Sequence, residues 1–218
     1  MRYSERGNAL VYVLIGVALF AALSYTLTRN AQTGNTGLDN EKSTLYANQI
    51  ISHSQQVGQV VQQMLMTGST INDIDFVKPG EAGYTTAPHQ HKAFHPSGGG
   101  APIFNDANED LFEKANANRG WQGQAGTNIE WTATTANDLI YSFLYVSGSI
   151  CAKINNILNG NETIPADSNL DFSVHFINGG GDDDTLETAD CAGCESVYSQ
   201  CVLDSGTDYI FYNVIASQ

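Results

Sequence analysis

Three groups of residues have types and spacings suited to chemistry. The first is cysteine: Cys151, Cys191, Cys194 and Cys201, all in the last third of a 218-residue chain. Cys191-Ala-Gly-Cys194 has the spacing of a redox pair. Such pairs work at a helix N-terminus within a βαβ unit, where the thiolate is stabilised. Here the pair follows an acidic, glycine-rich stretch with no βαβ pattern around it. A zinc site would need a second tightly spaced pair, and Cys151 and Cys201 are far apart in sequence. The expectation is structural disulfides, as suits an even cysteine count in an oxidising compartment. Four cysteines allow three pairings. We favour one that joins Cys151 to one of the other three, stapling a helix near 149–158 to the last strands.

The second group is His89, His91 and His95, with Lys92 among them. Positions 89 and 91 would share a face in a strand. Imidazole pairs of that kind bind zinc or copper. No acidic or cysteine ligand adjoins them, Lys92 opposes a cation, and the alternative is a solvated polar loop. The third group is Asp182, Asp183 and Asp184 after Gly179-Gly-Gly, with Glu187 and Asp190 nearby. Three adjacent carboxylates repel one another, and a hard cation such as calcium would relieve this. The run departs from the EF-hand pattern, and the alternative is a solvated acidic turn. Calcium is the one cofactor candidate. No nucleophile elbow, phosphate loop, dinucleotide fingerprint or zincin motif occurs, so a non-enzymatic role is expected.

Charge narrows the partners. With 23 Asp and Glu against 9 Lys and Arg, the formal net charge is −14. An acidic surface repels phosphate backbones, so nucleic acid is set aside as a partner. Residues 7–28 carry no charge, and residues 9–23 read ALVYVLIGVALFAAL. About 20 apolar residues in a helix cross a bilayer core of ~30 Å. Arg2 and Arg6 precede the stretch and Arg29 follows it. The positive-inside rule then puts the N-terminus in the cytoplasm and the bulk outside, as a single-pass membrane protein. The alternative is a cleaved secretory signal ending near Ala22-Leu23-Ser24, although the apolar stretch exceeds the usual h-region.

The N-terminus resembles a class III prepilin signal, as in type IV pilins and type II secretion pseudopilins. The residues that carry the likeness are Glu5-Arg6-Gly7 followed directly by Asn8-Ala-Leu-Val-Tyr12-Val-Leu-Ile-Gly. The resemblance implies a leader over 1–7, cut after Gly7 by a prepilin peptidase, with Asn8 as the new N-terminus. It implies a transmembrane and assembly helix over 8–28 and an exported head over 29–218. It also implies other pilin-like subunits, an inner-membrane assembly platform and membrane lipid as partners. Calcium-stabilised loops occur in pseudopilins, which bears on Asp182–Asp184. Two positions depart from the pattern. Asn8 stands where Phe or Met is usual. Tyr12 stands at the fifth mature position, where a Glu usually neutralises a neighbour's N-terminal amine. The departure implies a minor or atypical subunit.

The elements that must position these groups follow from pattern. Gly34 and Gly37 interrupt residues 29–38 as a linker or weak point, each costing a helix ~1 kcal/mol. An amphipathic helix is expected over 39–67, its stripe formed by Tyr46, Ile50, Val57, Val61 and Met64, with Gly68 as C-cap. Residues 68–105, rich in Pro and Gly, predict loops. A short helix is expected at 107–115 and another at 149–158. Strands are expected at 128–134, 139–146, 170–177 and 209–216. Helices first and strands later argue an α+β fold. The expected architecture is a long N-terminal helix, transmembrane in its first half and amphipathic in its second, packed on an antiparallel β-sheet head. The expected function is a pilin-like structural subunit of a type IV pilus or type II secretion-type filament. The alternative is a membrane-anchored extracytoplasmic binding or adhesion domain that forms no filament.

Overall fold

The computed structural model describes residues 8–167, 169–177 and 185–217, and side chains for all of these except 8–11 and 25–38. Helix α1 spans Asn8–Met66. The chain divides into two compact units, Met1–Lys42 and Ser43–Gln218. In the first unit, Tyr12, Val13, Leu14, Ile15, Val17, Leu19, Phe20 and Leu23 are all exposed.

The expected transmembrane half is corrected here. Among the described residues, no helix is long and apolar enough to cross a membrane. Past Leu23 the sequence of α1 turns more polar, with Ser24, Thr26, Thr28, Arg29 and Asn30.

In the second unit the sequence pattern of α1 turns into packing. Ile50, Val57, Val61 and Met64 are buried, with Ala47 and Ile51 beside them. Their spacing of three and four places them on one face. The helix ends in a Schellman motif. Ser69 N–H donates to Met64 O at 3.1 Å, and Gly68 N–H donates to Leu65 O at 3.3 Å. Gly68 has φ +108°, a conformation that a side chain would strain.

Among the described residues the head contains five strands: β1 Gly120–Ile129, β2 Asp138–Leu144, β3 Thr185–Leu186, β4 Ser199–Leu203 and β5 Tyr209–Ala216. Their order is β3-β1-β2-β5-β4. The expected antiparallel sheet is therefore corrected to a mixed one. β1–β2, β2–β5 and β5–β4 run antiparallel, but β1–β3 is parallel through Asn128–Thr185 and Ile129–Leu186. Helix α2, Gly148–Asn159, follows β2 and ends at Gly160, whose φ is +76°.

Every residue of β2 is buried, because both faces of the sheet are covered. On one face Asn213 donates to Ser54 Oγ of α1 at 2.9 Å, and Gln62 donates to Ile215 O at 2.6 Å. On the other face Ser142 Oγ donates to Phe176 O at 3.2 Å, and Phe176 stacks on Tyr212 at 5.3 Å. The Gln124 amide on that face donates to the His175 carbonyl.

Several element boundaries differ from expectation. Residues 170–177 form no strand. They hold a one-turn helix, α3, Phe172–His175, because the Asp171 side chain caps Ser173 N–H at 2.9 Å. The helix expected at 107–115 shrinks to a 3-10 turn at Glu109–Leu111, capped by Asn108. Glu109 forms a two-bonded ion pair with Arg119. The first strand starts at Gly120 rather than 128 and stops at Ile129, where Asp138 Oδ2 accepts Ile129 N–H at 2.9 Å and closes the turn.

Candidate functional site

The cysteines are joined as Cys151–Cys201 and Cys191–Cys194. The first ties α2 to β4. The second closes the 3-10 turn at Ala192–Cys194. All four residues are buried, so neither bond offers an open sulfur to a partner, and a redox role for Cys191-Ala-Gly-Cys194 loses its physical basis.

The three histidines do not converge. His89 and His95 stack ring on ring at 4.1 Å and 7°, an arrangement in which their nitrogens do not aim at one point. Burial, then His89 and Lys92, hold the His95 imidazole below its usual pKa. His91 turns away, its Nδ1 bonded to Ser69 Oγ at 2.9 Å. Lys92 is buried and donates to the carbonyls of Gly83, Tyr84 and Thr86, so it pins the loop above it. Among the described residues, no three His, Cys, Asp or Glu side chains form a metal site. Asp182, Asp183 and Asp184 lie outside the described residues, as does Gly7. Asn8 is the first residue of α1.

A site that the sequence reading did not raise lies between α1 and the 76–106 segment. A cleft of about 370 Å³ is lined by His53, Lys78, Phe104, Asp106, Trp121 and Tyr141, among others. Its floor is aromatic. Trp121 stacks on Tyr141 at 4.4 Å and 6°. The His53 ring sits 5.0 Å from Trp121 and 5.2 Å from Phe104. His53 Nε2 and Tyr141 Oη are 3.2 Å apart. Burial, and then the nearby Lys78 ammonium, push the His53 pKa down to about 4. The ring is thus neutral at pH 7. Burial drives the Tyr141 hydroxyl well above its usual range.

The polar groups of the cleft are only partly used. Lys78 Nζ donates to Trp121 O at 2.9 Å, which leaves two of its three donors. The Trp121 indole N–H is buried and has no hydrogen-bond partner. Among the described residues the Asp106 carboxylate makes no hydrogen bond or ion pair; Arg119, on which its charge acts, is held by Glu109. Glu81 Oε2 accepts the Lys78 backbone N–H at 2.7 Å. One sequence signal points here: His53 is a titratable residue at the i+3 spacing from Ile50, on the core-facing side of α1. The partners Lys78, Asp106 and Trp121 are far apart in sequence and meet only through the fold.

Comparison with protein-family models, with curated proteins and with solved structures returns no match.

Proposed function

We propose that the chain is a pilin-like structural subunit of a type IV pilus or type II secretion-type filament, of a minor or atypical kind. The observation that carries this reading is the apolar first unit. Tyr12, Val13, Leu14, Ile15, Val17, Leu19, Phe20 and Leu23 are between 51% and 74% exposed. At about 100° per residue they populate every side of the helix. An uncovered apolar cylinder of this kind needs a partner surface. Like helices from other subunits supply one, and ridges and grooves of aliphatic side chains pack well together. The leader-like Glu5-Arg6-Gly7 supports processing by a prepilin peptidase, with Asn8 as the new N-terminus, and handling by an assembly platform.

Two disulfides support a head that faces an oxidising compartment outside the cytoplasm. The role is mechanical rather than catalytic: helices associate and the α+β head is displayed. Tyr12, a neutral residue at the fifth position, removes the carboxylate that would pair a neighbour's amine, which favours a rare subunit over a self-stacking major one.

The test is intact mass together with assembly state. A mass beginning at Asn8, and loss of higher-order assembly on Phe20→Asp with the head still folded, support the proposal. A mass beginning at Met1, with the wild-type chain monomeric under native conditions, overturns it. That second outcome favours the other reading, an extracytoplasmic binding domain that forms no filament. The aromatic cleft is the observation on its side.

A further inference from the structure

We infer that the cleft under Lys78 and Asp106 binds a small zwitterion, an α-amino acid with an apolar or aromatic side chain. Lys78 and the Trp121 indole take its carboxylate, Asp106 takes its ammonium group, and the Phe104 side of the cleft takes the side chain. The inference concerns the head alone and stands whether or not the chain enters a filament.

Unsatisfied polar groups carry the argument. A buried N–H without an acceptor is costly, and the Trp121 indole is such a group. Two further donors remain on Lys78, which the Trp121 carbonyl anchors in the same cleft. An acceptor that serves both is a carboxylate. The same cleft also holds Asp106, which is unpaired, and Glu81. Opposite charges that line one cleft without pairing are complementary to a ligand that carries both charges.

Rival ligand classes fit less well. A simple anion would meet the Asp106 and Glu81 carboxylates. An organic cation would meet Lys78. A sugar ring needs an open aromatic face, yet Trp121 and Tyr141 stack on each other and are 2% and 1% exposed. The cleft volume of about 370 Å³ is near the low end of ligand sites, which run roughly 300–1,000 Å³, so the ligand is small.

The experiment is calorimetric titration of the full-length chain with L-phenylalanine and L-leucine. Each is compared with its N-acetyl derivative, its carboxamide and a methyl glycoside. Binding should be saturable, weaken roughly tenfold or more when either ligand charge is removed, and weaken similarly in Lys78→Gln and Asp106→Asn. Far-ultraviolet circular dichroism should stay unchanged in both variants. Should Lys78→Gln fail to fold, the ligand derivatives on the wild-type chain decide the question. Absence of saturable binding by both L-phenylalanine and L-leucine overturns the inference. So does equal affinity for the capped derivatives, or binding of the glycoside alone.

Discussion

Asn155 on α2 serves Cys201 on β4 as a neighbouring strand would. Its Oδ1 accepts the Cys201 N–H at 2.7 Å, and its Nδ2 donates to the Cys201 carbonyl at 2.8 Å. β4 is an outer strand of the sheet, and an open strand edge invites pairing with other chains. Here the edge is closed by one side-chain amide, by Leu203 N–H on Pro165 O at 2.8 Å, and by the disulfide from Cys151 to the same residue 201. The opposite edge, β3, is only two residues long. Among the described residues, β4 therefore offers no open edge at Cys201 or Leu203 for another chain to pair with.

Removing that amide should be costly. Asn155→Ala strands the Cys201 N–H and carbonyl in a buried site, and it also removes a bond to Thr163 O at 2.9 Å. The expected loss is about 3 kcal/mol, from two buried groups left without partners. Urea unfolding of the oxidised protein measures it. The same variant should self-associate more readily, through the freed edge, in sedimentation velocity. A loss under about 0.5 kcal/mol, within the range of an ordinary surface substitution, would show that the edge closure is dispensable.

The two disulfides should contribute unequally. Cys151–Cys201 closes a separation of 50 residues and Cys191–Cys194 one of 3. Loop-closure entropy gives about 4 kcal/mol for the first and about 2 kcal/mol for the second. Paired Cys→Ala variants should therefore lower the denaturation midpoint more for the 151–201 pair. Equal midpoints would mean that the entropic account does not govern here.

Phe76 and Gly123 give a third test. The Phe76 ring stacks on Tyr141 at 5.2 Å and lies over the bare backbone of β1. A Cβ on Gly123 would fall 2.1 Å from Phe76 Cδ2. Gly123→Ala should displace the ring and cost about 1–3 kcal/mol, as overpacking does. Gly126, with open space around its Cβ position, is the control and should tolerate Ala with little change. Matched losses at both sites would sink the packing argument.

These residues show what was legible in the sequence. The stripe at Ile50, Val57, Val61 and Met64, the helix around Ile150 and Ile154, and the strand at 209–216 are local periodicities, and the fold uses them as read. Cys151 likewise joins the C-terminal group, because α2 and β4 pack together. β1 was half missed because Gly120, Gly123 and Gly126 suppress the strand pattern, yet Gly123 is there to admit Phe76. Residues 170–177 look strand-like, but Asp171 caps a helical turn instead. β4 was missed because Ser199-Gln200 reads as polar, and its edge is satisfied by a side chain 46 residues away. The cleft was invisible for the same reason: Lys78, Asp106 and Trp121 come together only in three dimensions.

His53 makes the head pH-sensitive in a defined window. Its pKa is about 4 in the folded protein against 6.5 when unconstrained. The unfolded chain therefore binds this proton first as pH falls. The contribution of a neutral His53 is fully present above about pH 6.5, declines as pH falls, and levels off below about pH 4. The residue is 6% exposed but lines an open cleft, so solvent screening trims the effect to about 1–2 kcal/mol between pH 7 and pH 5. Urea unfolding at those two pH values measures it, compared with His53→Gln. The glutamine amide keeps a partner for the Tyr141 hydroxyl but does not titrate. Wild type should lose more stability than His53→Gln over this interval. Parallel losses would show that other groups, and not this imidazole, set the acid sensitivity of the head.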